Sequence, residues 1–181
     1  MAARRSDPHK LDVAALAADA RCLEGQADAY ALERWRDMQT PPADMPLPAV
    51  RWSARGELRR RSGEAPQIWL HLQVSAQAWL TCQRCLHPFA APLGIERAFH
   101  FVPTEGEAEA LDADSEDDVL ALEASFDLIA LIEDELLLAW PLVPLHERCS
   151  QPAHAGSGEP APAASPFAAL ATLKGGRAAK P

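Results

Sequence analysis

A chain of 181 residues, 48% hydrophobic and 24% charged, can bury one core with appendages. Its formal net charge of −9 argues against a surface that binds nucleic acid as a whole, because phosphate neutralisation needs a basic footprint. Any such contact must be local or made through a partner. No apolar run reaches the roughly 20 residues that span a bilayer, and the first ten residues lack an apolar signal stretch, so a cytoplasmic protein with no membrane partner is expected. Four cysteines in that setting are expected to be reduced thiols, used for metal binding, redox chemistry or packing.

Along the chain, Leu11, Ala14, Ala15, Ala18 and then Ala29, Leu32, Trp35 and Arg36 follow three- and four-residue spacing. The segment 11–38 is therefore expected to form two short helices divided at Gly25, with Cys22 an idle or packed thiol on the first. The proline-rich run 40–48 is a connector. After it the period changes to two. Val50 to Arg61 is expected as a strand, 61–66 as a hairpin turn, and Ile68 to Cys82 as one long half-buried strand or two strands joined by a bend, with Leu70, Leu72, Val74 and Leu80 on the apolar face. A further strand is expected from Leu93 to Val102, which completes a β-rich core over 49–102.

The acidic stretch 103–118 has no Lys or Arg and is expected to be a solvated loop, with Val119, Leu120 and Leu122 returning to the sheet. Asp127 can cap a helix over 128–140, which Pro141 stops. Residues 150–164 have the composition of a flexible linker. Ser165, Pro166 and Gly175 then bracket a short docking helix over 165–174, with Phe167, Leu170 and Leu173 as apolar anchors, before a disordered end over 175–181. The fold class expected is α+β. An antiparallel meander with N-terminal helices, one helix after the acidic loop and a flexible C-terminal tail would place a single domain over 1–149.

Chemistry concentrates at Cys82 and Cys85, spaced as Cys-x-x-Cys at the end of a strand. Far downstream, His146 and Cys149 make a second two-spaced unit, and together the four would form a closed Cys3His structural zinc site. The residues leave a second reading open, in which two partly buried thiols sit in a turn and Cys149 is incidental. A thioredoxin-type pair fits poorly, because such a pair sits at a helix N-terminus whereas Cys82 ends a strand and Pro88 follows. Arg51, Arg55, Arg59, Arg60 and Arg61 could form an RNA-facing strip with Trp52 and Trp69, or could simply keep an exposed strand soluble. Glu133, Asp134 and Glu135 step around their helix and read as its solvated face, or as a surface for a basic protein partner. No nucleophile, His dyad or Gly-rich phosphate loop accompanies them, so neither enzyme activity nor a small-molecule substrate is expected.

Three ordered motifs carry a resemblance. The run Thr81-Cys82-Gln83-Arg84-Cys85-Leu86-His87-Pro88-Phe89, the segment from Phe126 to Pro144, and the ending from Ser165 to Lys174 resemble the YceD family, described as large ribosomal RNA subunit accumulation proteins. One departure is Trp140 before Pro141, where relatives tend to carry a smaller apolar residue. The resemblance implies a non-enzymatic ribosome-biogenesis factor acting in synthesis, processing or stability of 23S ribosomal RNA. Contact with that RNA or its precursor would be direct or through a ribosomal protein. The alternative is a small zinc-stabilised adaptor working outside ribosome assembly.

Overall fold

The computed structural model describes residues 6–60, 62–63, 65–113, 115 and 117–149. Five strands form one sheet in sequence order: β1 (Cys22–Ala27), β2 (Val50–Arg59), β3 (Gln67–Thr81), β4 (Pro88–Val102) and β5 (Asp118–Ala121). The first four pair antiparallel, and β5 runs parallel to β4. Helices α1 (Val13–Ala18), α2 (Glu33–Met38) and α4 (Leu128–Leu138) complete the main core, while α3 (Glu105–Asp112) makes the crossover between β4 and β5. The chain is therefore α+β with a mostly antiparallel sheet.

Alternation decides which face of the sheet is buried. Val50, Ala54, Leu70, Leu72, Ala78 and Leu80 point to one side and meet Leu16, Trp35, Leu128, Ile132 and Leu136. Trp35 and Ile132 are fully buried, and each such side chain contributes about 1.5–3 kcal/mol relative to exposure. Trp140 packs edge-on against Trp35 with ring centroids 5.6 Å apart, which gives the larger residue before Pro141 a place in the core. The N-terminus is tied to the start of α4 by reciprocal backbone bonds between Leu11 and Phe126.

Three local expectations are corrected. Cys22–Ala27 is a strand, not part of a helix: it pairs with Ala54, Ser53, Trp52 and their neighbours, and Gly25 lies directly under the Trp52 ring. A Cβ at Gly25 would come within 2.5 Å of Trp52 Cζ2, so the glycine is needed for close approach across the sheet and not as a break between helices. The acidic stretch is not a loop throughout. Thr104 caps α3, Glu105 and Glu107 occupy its favourable first turn, and Ala108 buries against Val102 and Val119. Finally, β4 begins at Pro88, immediately after the cysteine turn, so the β3–β4 hairpin is far longer than the expected 93–102 strand. The linker, docking helix and tail expected over 150–181 lie outside the described residues.

Candidate metal centre and open sheet face

The cysteine turn is the connection of the β3–β4 hairpin. Strand pairing runs out to Thr81 opposite Pro88, and the six residues between them fold back on themselves. Cys82 N donates to His87 O at 3.0 Å and Leu86 N donates to Cys82 O at 2.8 Å. Leu86 adopts φ of 59°, a left-handed conformation that lets the chain reverse. The result is a knuckle with Cys82 completely buried and Cys85 at its rim.

The segment after α4 closes over this knuckle. Gln83 N donates to Pro144 O at 2.9 Å, which anchors 141–149 across the turn. The ring of Phe89, the second residue of β4, lies 4.4 Å from that of His146 and orients it. Cys82 Sγ is then 4.0 Å from Cys149 Sγ, and Cys85 Sγ is 3.5 Å from His146 Nδ1. One ligand atom from each of the four residues lies within 4.8 Å of every other. Thiolates about 2.3 Å from a common tetrahedral ion stand just under 4 Å apart, so this donor set fits a metal of thiolate and imidazole preference. Spacing signals the four ligands, whereas the roles of Phe89 and of the Gln83–Pro144 bond leave no pattern of their own beyond Pro88-Phe89 beside the motif and Pro144 before His146.

The electrostatics of the cluster are uneven. Burial raises the Cys82 thiol, but backbone N–H groups of His146, Cys85 and Arg84 together with the His146 side chain hold it down at about 5. Cys149 is pushed up to about 11 by its hydrogen bond to Cys85, by burial and by Cys82. Of these two thiols Cys82 is the more readily ionised, and a bound dication would have to displace the proton from Cys149.

The side of the sheet turned away from the main core is polar. Arg51, Ser53 and Arg55 of β2 stand beside Gln73 and His71 of β3, and two adjoining concavities of about 510 and 430 Å³ share Glu24, Ser53 and Gln73. Arg51 and Arg55 are exposed and have no ion-pair partner among the described residues. Arg59 is committed elsewhere, 3.9 Å over the Trp69 ring and bonded to Glu57. Trp69 also stacks on His100 at 4.9 Å and is 4% exposed, while Trp52 faces the main core. The strip expected from Arg51 to Arg61 therefore loses its aromatic half. Arg60 is exposed beyond the strand, and Arg61 lies outside the described residues.

The three adjacent carboxylates of α4 do not share an exposed face. Glu133 accepts from the backbone N of Arg34 at 2.8 Å and of Trp35 at 3.2 Å, and its other oxygen holds the Arg34 guanidinium. Asp134 pairs with the same guanidinium at 2.6 Å. Glu135 is buried, which pushes its carboxyl up, while Arg97 at 3.5 Å pulls it down. Phe167, Leu170 and Leu173 lie outside the described residues.

A profile of the family described as Large ribosomal RNA subunit accumulation protein YceD matches residues 70–174, more than half of the chain. The match takes in the knuckle, α4 and the closing segment. Large ribosomal RNA subunit accumulation protein YceD of Haemophilus influenzae is 37% identical over 109 residues, covering 56% of this chain and 63% of that protein. The matched stretch is thus less than two thirds of that relative. No solved structure matches.

Proposed function

The chain belongs to the YceD family, and from that membership we propose that it supports synthesis, processing or stability of 23S ribosomal RNA, so that large ribosomal subunits accumulate. The observation that carries the reading is the family match across the knuckle, α4 and the segment joining them. The family's description and that of the matched relative name an accumulation role and no reaction. A factor of this kind binds and holds, and does so in the cytoplasm where ribosomes are assembled.

In this reading Cys82, Cys85, His146 and Cys149 hold zinc as a structural clasp. All four positions are filled by protein, which leaves none open for substrate and suits stability over catalysis. When bound, the ion would fasten the closing segment to the sheet. Arg51 and Arg55, which have no ion-pair partner among the described residues, are the groups on the open face best placed to meet phosphates of precursor RNA, with Gln73 and Ser53 available as hydrogen-bonding groups between the strands. The carboxylates of α3 would meet a basic protein partner, since those of α4 are largely committed within the fold.

Deleting the gene and measuring 23S against 16S ribosomal RNA, with sucrose-gradient profiles, tests this function. A fall in 23S and in the large-subunit peak, restored by the wild-type gene, is expected. Unchanged 23S and unchanged large subunits would sink the reading.

A further inference from the structure

Around the clasp, large apolar side chains stand open beside the charged Arg84, Glu147 and Arg148. Leu142 is 99% exposed, Leu138 76%, Leu86 71% and Val143 64%. Leu86 sits in the knuckle, Val143 precedes the proline that bonds to it, Leu142 adjoins Val143, and Leu138 ends α4 four residues earlier. Scattered exposed leucines need no explanation, but four large apolar groups gathered at one end of a molecule mark a surface that is covered in use.

We propose that the occupant is this chain's own C-terminal segment, residues 165–174, with Phe167, Leu170 and Leu173 laid against Leu86, Leu138, Leu142 and Val143. Two features select it. The chain leaves the domain at this place: Cys149 is a member of the clasp, and a Gly-, Ser- and Pro-rich stretch as long as 150–166 spans on the order of 20 Å as a coil. A segment tethered so closely is present at an effective concentration near millimolar, which a free partner rarely matches. Second, positions 167, 170 and 173 fall on one side of a helix, so a single docking face is available to them. The family match also runs through 174, so the segment belongs to the same unit of sequence as the knuckle.

The docking stands apart from the ribosomal role and from the identity of the metal. It is tested on the full chain by amide hydrogen exchange. In the wild type, amides of 165–174 and of 138–145 should exchange about tenfold more slowly than in a Phe167→Ala, Leu170→Ala, Leu173→Ala variant. A Leu142→Ser, Val143→Ser variant, altered only at exposed positions, should release 165–174 to the same extent. Coil-like exchange of 165–174 in the wild type would overturn the proposal and leave the patch to a separate partner. Protection that grows over a roughly hundredfold rise in protein concentration would also overturn it, in favour of a second copy of the chain.

Discussion

Glu135 shows how a single position can be misjudged from its neighbours. Three consecutive carboxylates suggest a hydrated helix face, yet Glu135 is 7% exposed and faces Arg97 on β4. Burial raises its carboxyl above the ordinary range. A raised carboxyl costs the fold stability once the pH exceeds the unfolded value, because the unfolded chain ionises more readily. Glu135→Gln should therefore stabilise the protein near pH 7, with the gain shrinking towards zero at about pH 4, where both states hold the proton. Urea unfolding at the two pH values measures this, and an equal difference at both would count against a buried, desolvated carboxylate. The clasp is the opposite case. Cys82, Cys85, His146 and Cys149 are legible from spacing alone, because metal coordination restricts both residue type and separation.

Among the elements, α2 depends on a residue 99 positions away. Its N-cap is Leu32, which offers no side-chain acceptor, and Glu133 from α4 supplies one to Arg34 N and Trp35 N. Glu133→Ala should cost about 1–2 kcal/mol, the range for losing a helix cap, and a drop in the urea midpoint would show it. A variant as stable as the wild type would return Glu133 to the surface as a free partner-binding group. Such a cap cannot be read locally, since it is made by another helix. The same holds for Cys22–Ala27, where helical spacing among alanines and leucines is weak evidence and pairing with β2 prevails. In 105–112 the error runs the other way. Net charge suggests a loop, while Thr104 and two first-turn acids favour a helix that needs only Ala108 and its neighbours Val102 and Val119 to dock.

At the scale of the molecule, the clasp joins the β3–β4 hairpin to the end of α4 through residues more than 60 positions apart. Full-length protein is expected to carry about one zinc per chain by elemental analysis. Cys149→Ser should lose most of that metal and lower the melting temperature by roughly 10 °C, since a bound ion adds its binding energy to the native state alone. Metal-free protein from zinc-replete medium that also refuses cobalt would remove the metal reading. By itself the sequence determined the alternating face of β3, the capped α4, the four candidate ligands and the family, because alternation, capping and ligand spacing are local or strongly constrained signals. Only the tertiary structure decided that Cys22–Ala27 joins the sheet, that Trp69 is covered while Arg51 and Arg55 stay open, and that Glu133 and Glu135 turn inward. Those outcomes depend on which distant side chains arrive at the same place, and long-range packing overrides local preference wherever that preference is weak.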